Sequence, residues 1–404
     1  MLVFRVLSRG FEKTAIPDQN PRESMLWYNA LMNEDKRNTN KRFNFGWLIV
    51  TLLFLCLSAV LAALARNVPG FAPFYTHTVY RFLQGTLGRF SNLFPFSLSE
   101  VLLYTLPVMF IVFLIVKLVR KKSVVGLFKT ATVVVSLLLL VYQMNCGINY
   151  YSISFAEKEG FTEIENDREL LIEFCEFTAA RLNESSTNFA LRTDSAIGDS
   201  DPGAFVIVPY PSGEELASES VRAMENIGTI YDSLDGYYPR PKGLLNPRPF
   251  SNMGVTGIYS PFTIEANYNS EMTGYNLPFT ACHELSHLRG FMNESEANFI
   301  AFLACINSDN HAFQRGGYML AWVYAGNELY KVDREVFSRI RSSLPDDVKK
   351  ELDDDNQFWD TYETKASEVQ NAVNDEYLKQ HGIPEGIQSY SRVVGLMLAW
   401  FAGR

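Results

Sequence analysis

The sequence predicts a mainly α chain, with three N-terminal transmembrane helices ahead of a larger α+β domain. Three observations carry that expectation. Three apolar runs of near-spanning length fall before Cys146. After them, acidic and apolar residues interleave at helical spacing, as in Glu165 to Leu182. Within that helical remainder, Gly257 to Asn267 reads instead as an extended segment and turn.

Residues Met1 to Asn44 hold no long apolar run and are expected to form a cytoplasmic N-terminal segment. They do not read as a signal peptide, because the first apolar segment begins too far in and no small-residue cleavage pattern follows it. The membrane region is expected over 45–146. Phe45 to Ala65 supplies 21 nearly unbroken apolar residues, enough for one span, which Arg66, Asn67, Pro69 and Gly70 end. Phe71 to Glu100 is a linker of intermediate polarity, with an interfacial helix expected around Tyr80 to Phe90. Val101 to Val119 is the second span, with Lys117 placed to snorkel. Arg120, Lys121 and Lys122 make a tight turn, and 124–146 is the third span.

Basic residues set the expected orientation. Lys36, Arg37, Lys41 and Arg42 precede the first span and Arg120 to Lys122 join the second to the third, whereas Asn67 to Glu100 carries only Arg81 and Arg89. The positive-inside rule then puts the N-terminus in the cytoplasm and the domain of residues 147–404 on the extracellular side of the cell membrane. Because the number of spans is odd, this side depends on all three.

In that domain, Glu165 to Leu182 is expected to be helical and Asn183 to begin a polar loop. Ala204 to Val208 is a short strand candidate, Glu214 to Ile227 a helix, and Gly236 to Pro249 a Pro- and Gly-rich loop leading toward the site. Tyr318 to Ala325 is too short for a fourth span and reads as a buried helix. Asp353 to Asp355 reads as a solvated face, Tyr362 to Leu378 as a polar helix, and Val393 to Phe401 as a short apolar helix docked on the core or the membrane surface. The net charge of −9 argues against a nucleic-acid partner. Almost no charge lies inside the spans, which argues against a transporter. Five cysteines form no C-x-x-C pair, so no structural zinc knuckle is expected; a Cys282–Cys305 pairing stays open.

The chemistry is concentrated in Thr280 to Gly290, T-A-C-H-E-L-S-H-L-R-G, which contains H-E-x-x-H. His283 and His287, four apart, share one helix face and can hold one zinc ion, and Glu284 can act as general base on a water beside it. Gly290 is a natural stop for that helix. Asn293, Glu294 and Glu296 follow, and Glu294 to Cys305 reads as a second helix with Ala297, Ala301 and Ala304 on a narrow packing face. Glu294 and Asn298 share a face, so a ligand and a group supporting the ligands fit there; Glu296 lies about 200° around the helix and is the reserve ligand. His311 and Tyr324 are candidates to stabilise an oxyanion. Tyr259 to Asn267 is the candidate edge strand for a peptide backbone, with Glu265 a candidate to face the site.

H-E-L-S-H followed by E-S-E-A-N-F-I-A-F-L-A resembles the zincin metallopeptidases called gluzincins, whose third ligand is a glutamate on a later helix. Glu294-x-x-Ala297-Asn298 is similar to the glutamate-helix motif of the ImmA/IrrE-type and the membrane-embedded HtpX-type peptidases, with Asn298 in place of the latter's aspartate. The gap between His287 and Glu294 is shorter than in those families. His287-x-x-Gly290 is also similar to the metzincin pattern, with Asn293 where that pattern has its third ligand. From its first apolar segment to its C-terminus, the chain resembles a family of bacterial zincin-like membrane proteins. The resemblance implies a zincin-like domain, His283, His287 and Glu294 as zinc ligands, Glu284 as catalytic base, and a peptide or protein substrate met at a lipid bilayer. The alternative function is a noncatalytic membrane sensor or scaffold that keeps the fold.

Overall fold

The structure, a computed structural model, describes residues 45–165, 167–196, 210–362 and 390–404, with isolated positions between 369 and 376. The N-terminal segment 1–44, the strand expected over 204–208 and nearly all of the polar helix expected over 362–378 lie outside the described residues. The chain falls into two units, 1–53 and 54–404. Of the first, residues 45–53 are described, and they open helix α1 (Gly46–Asn67).

Among the described residues, three helices are long and apolar enough to cross a membrane: α1, α4 (Leu98–Val119) and α5 (Val125–Tyr142). Their leucines, valines and isoleucines are largely exposed, as helices facing hydrocarbon must be. The result is a multi-pass membrane topology. Helix α4 begins before the expected Val101 because Ser97 caps it, accepting from the Glu100 N–H at 3.1 Å.

Between α1 and α4 run α2 (Phe71–Tyr75), a π-helical turn over Thr76–Tyr80 and α3 (Arg81–Ser91). This linker is more than an interfacial helix. One face docks on the domain: the Tyr80 hydroxyl donates to the Leu288 carbonyl at 2.7 Å, and Gln84 Nε2 donates to the Tyr237 carbonyl at 3.0 Å. The opposite face leaves Phe82 and Phe90 exposed.

The span ends that meet the domain all lie on one side of the membrane, because the chain runs through α1, α4 and α5 in alternating directions. At the end of α1, Arg66 Nε donates to the Tyr151 hydroxyl at 2.8 Å. At the start of α4, Glu100 accepts the Leu245 and Asn246 N–H groups at 2.6 and 2.8 Å. Just past α5, Asn145 Nδ2 donates to the Pro261 carbonyl at 2.7 Å.

After the last span come α6 (Phe155–Glu159), α7 (Arg168–Ala196), α8 (Gly213–Gly228), β1 (Lys242–Gly243), α9 (Arg248–Ser251), β2 (Gly257–Ser260) and β3 (Glu265–Tyr268). The helices α10 (Asn276–Arg289), α11 (Glu294–Ile306), α12 (His311–Val332), α13 (Arg334–Ser343), α14 (Asp346–Thr361) and α15 (Tyr390–Ala402) follow. The sheet has the order β1-β3-β2, with β3 parallel to β1 and antiparallel to β2. The expected extended segment is therefore a hairpin whose first strand, β2, is an edge and whose second is central.

Helices α10, α11 and α12 form the core, with Ala297, Ala301 and Ala304 fully buried so that α10 and α11 approach closely. Helix α12 is the buried helix expected over Tyr318 to Ala325, and α15 docks on the core through Val393, Leu396 and Met397. Two sequence expectations fail locally. Helix α7 runs on through Asn183 to Ala196, and within that polar stretch Ser185 and Ser186 accept from Arg315 Nη1 at 2.9 Å in part-buried contacts. Asp355 is no bystander on a solvated face: it accepts from Thr273, Tyr275 and Asn276 at 2.7–2.8 Å and anchors the start of α10. Cys282 and Cys305 are buried free thiols.

Candidate metal centre

Helix α10 carries both histidines. It enters through Asn276, Leu277 and Pro278, and the proline lies in the first turn, where its missing N–H costs no helix bond. It ends at Gly290, whose φ of 108° is a left-handed conformation suited to glycine. Three residues on, Asn293 caps α11, accepting from the Ser295 and Glu296 N–H groups at 3.0 and 3.3 Å. That cap turns the chain sharply and points Glu294, the first residue of α11, back at α10.

The His283 and His287 rings stand edge to face with centroids 4.6 Å apart. Glu294 Oε2 lies 3.2 Å from His283 Nε2 and 3.6 Å from His287 Nε2. Ligand atoms at the corners of a tetrahedron about 2.0–2.1 Å from a zinc ion stand roughly 3.3–3.4 Å apart, so these separations fit such a site. The three ligand atoms all lie within 4.8 Å of one another, and this cluster is the candidate metal-binding group among the described residues.

The outer ring nitrogens are fixed too. His283 Nδ1 donates to Asn298 Oδ1 at 2.8 Å, and His287 Nδ1 donates to the Phe291 carbonyl at 2.8 Å. A proton held on each Nδ1 leaves each Nε2 lone pair facing the shared point. Without a metal, the same point holds protons. Burial works against charge on His287, but Glu294 outweighs it and raises the imidazole to about 9. Burial likewise opposes charge on Glu294, yet His287 and His283 hold its carboxyl well below the usual carboxylate range.

Glu284 sits beside this cluster, and its Oε2 is buried with no hydrogen-bond partner. Desolvation pushes its carboxyl up to about 7 despite the nearby histidines. Gly257 on β2 makes room for it: a Cβ there would stand 2.5 Å from Glu284 Oε1. Both histidines, Glu284 and Glu294 line one cleft of about 550 Å3. Its other walls are β2, the stretch around Phe250 and Met253, and Tyr142, Cys146 and Tyr150 from the end of the third span.

Of the other sequence candidates, Glu296 turns away from the cluster and accepts the Phe155 and Ala156 N–H groups at 2.9 and 3.3 Å. Glu265 faces Lys242 and accepts the Leu98 and Ser99 N–H groups at 3.1 and 2.8 Å, tying β3 to the second span. His311 stands at the start of α12 with Nδ1 3.4 Å from Gln314, and the Tyr324 ring lies 6.3 Å from that of Phe279; neither lines the cleft. Four features of the site were not read from the sequence: the room at Gly257, the Phe291 carbonyl, and Tyr142 and Tyr150 in the cleft wall. The Phe291 carbonyl is local, four residues past His287 at the helix end, whereas Gly257, Tyr142 and Tyr150 reach the cleft only when distant elements meet.

No curated protein and no solved structure matches the chain. One family does, over residues 75–398, a range that takes in most of the linker, two of the spans, the cleft and both helices of the cluster. The chain belongs to that family, described as "Protein of unknown function (DUF3810)".

Proposed function

We propose that the protein is a membrane-anchored, zinc-dependent metallopeptidase whose zincin-like domain spans roughly residues 147–404. The observation that carries this reading is the convergence of His283 Nε2, His287 Nε2 and Glu294 Oε2 beside the unpaired Oε2 of Glu284 in a cleft of substrate size. Two imidazole nitrogens and one carboxylate oxygen are a donor set suited to zinc. A zinc ion held there supplies Lewis acidity toward a scissile carbonyl and toward an attacking water.

The chain's own residues do the rest. Glu284 Oε2 takes a proton from the attacking water and passes it to the leaving amine. The edge of β2 aligns an extended substrate backbone along the cleft. Tyr142 and Tyr150, which line the cleft where His311 and Tyr324 do not, are the proposed donors to the developing oxyanion. A purely structural metal site or scaffold has no use for a buried, unpaired carboxylate oxygen at Glu284, and that atom favours the enzyme.

The test separates metal from catalysis. Full-length protein and the variants Glu284→Gln, His287→Ala and Glu294→Ala are assayed for bound zinc by elemental analysis and for cleavage of a diverse peptide pool. Glu284→Gln is expected to keep its zinc and lose about 10²–10⁴-fold in hydrolysis, while the other two lose both. Parental cleavage by Glu284→Gln would remove this mechanism, and parental zinc in His287→Ala would remove the site.

A further inference from the structure

The turn leaving the histidine helix, Arg289 to Phe291, walls a second pocket that the proposed chemistry does not use. His77, Arg81, Ser152, Lys158, Ser233 and Arg289 also line it. Four of these are basic, and among the described residues none of the four forms an ion pair with a carboxylate. Glu159, close by, accepts the Ser233 N–H at 3.3 Å, and Glu296 is engaged with α6. Asp235 is exposed.

The buried donors are the second observation. Ser152 Oγ, Ser233 Oγ, and Nε and Nη2 of Arg289 are shielded from solvent and have no hydrogen-bond partner. Arg289 is 5 % exposed, and its one side-chain bond runs from Nη1 to Gln84 Oε1 at 3.3 Å. Gly236 permits the guanidinium's position, since a Cβ there would stand 2.4 Å from Arg289 Nη1. A buried guanidinium with idle N–H groups is costly unless something accepts from it. The basic groups also disfavour one another's charge: His77 is lowered chiefly by Arg81, and Lys158 by burial and then by Arg81 and Arg289. A site that gathers donors and positive potential matches an oxyanion.

We propose that this pocket binds a phosphate group, seated against Arg289, Ser152 and Ser233 and neutralised by His77, Arg81 and Lys158. The enclosed volume is only about 10 Å3, room for one oxygen-sized group, so the phosphate enters end-on and the rest of its molecule stands in the mouth. His77 and Arg81 lie between the first two spans, and Ser152 and Lys158 follow the third, so the mouth opens near the bilayer edge. The phosphate belongs either to a lipid headgroup or to a soluble phosphate compound, and the two sources share this recognition chemistry.

The experiment uses the full chain, stripped of metal by a chelator so that phosphate held by zinc is not counted. Inorganic phosphate is titrated into detergent-solubilised protein by calorimetry, with chloride as the comparison. In parallel, the protein is placed in nanodiscs of phosphatidylcholine with or without phosphatidic acid, and retained lipid is read by native mass spectrometry. Saturable phosphate binding, or one retained phosphatidic acid per chain, is expected. Arg81→Gln and Lys158→Gln, both at the rim, should each weaken it about tenfold or more, while Arg289→Gln or Ser152→Ala removes it from the floor. Zinc content measured before the chelator is applied should not change in the rim variants. Phosphate binding without lipid retention assigns a soluble ligand, and retention without phosphate binding assigns a headgroup. No binding of either kind, binding indifferent to both rim variants, or chloride bound as tightly as phosphate would overturn the proposal.

Discussion

The Asn298 amide oxygen accepts from His283 Nδ1 at 2.8 Å, one helical turn beyond the Glu294 carboxylate that meets the other nitrogen of the same ring. One helix thus grips both sides of an imidazole carried by another. Replacing Asn298 by Ala should lower zinc affinity about 10–100-fold, the usual weight of a group that orients a metal ligand. Asn298→Asp should keep the bond and restore the affinity. Chelator competition measures both.

Zinc binding should depend steeply on pH. In the metal-free protein Glu294 holds a proton on His287 up to about pH 9, and zinc must displace it. Affinity should therefore rise with pH, about tenfold per unit through the neutral range, and level off near 9. The same proton stabilises the metal-free fold: the folded value lies above the unfolded imidazole's 6.5, so that contribution is complete below 6.5 and fades as pH rises through 9. Affinity independent of pH between 7 and 9 would contradict this ordering.

Glu296→Gln should destabilise the fold and leave zinc alone. The carboxylate accepts two backbone N–H groups at the start of α6, and weakening charge-assisted bonds at a buried site costs about 1–3 kcal/mol. A carboxylate that merely complemented the α11 dipole would cost about 0.3–1 kcal/mol. Denaturant unfolding beside elemental analysis distinguishes the two.

Gly257→Ala is the steric test of the cleft. Its Cβ would stand 2.5 Å from Glu284 Oε1 and 2.8 Å from Thr280 Cγ2, so the carboxylate must move. Under the proposed mechanism, peptide hydrolysis should fall about 10²-fold while zinc and fold persist, because a displacement on the ångström scale is enough to misplace a catalytic group.

For the side of the membrane, a topology reporter fused after Gly160 is expected to be active only outside the cytoplasm, with a reporter fused at residue 122 active only inside. The reverse pattern would turn the domain inward while leaving its chemistry intact.

The three spans were legible because length and apolarity alone define them. The cluster was legible because a four-residue spacing on a helix fixes relative direction whatever surrounds it, for Glu294 and Asn298 as for the two histidines. What escaped depended on distant partners. The fate of Glu265 rests on Lys242 and the start of α4, and the partner of Ser185 and Ser186 in the helical stretch after Asn183 is the distant Arg315. The role of Gly257 appears only once β2 lies against Glu284. Local pattern carries none of these.

Glu100 and Glu265 hold the second span to the domain from opposite directions, one reaching from the helix into the 245–246 backbone and the other from β3 into the helix start. With Asn145 fastening the third span to the β2–β3 turn, the cleft is tied to both the second and the third span. Under the proposed peptidase function, a substrate chain anchored in the same membrane would meet the cleft as a tethered neighbour, at an effective concentration set by the length of the segment between its anchor and the bond presented. Too short a segment never reaches the cleft, and a much longer one dilutes its own presentation. Under that function, the rigid mounting would make stem length a ruler for selection, independent of the residues flanking the bond.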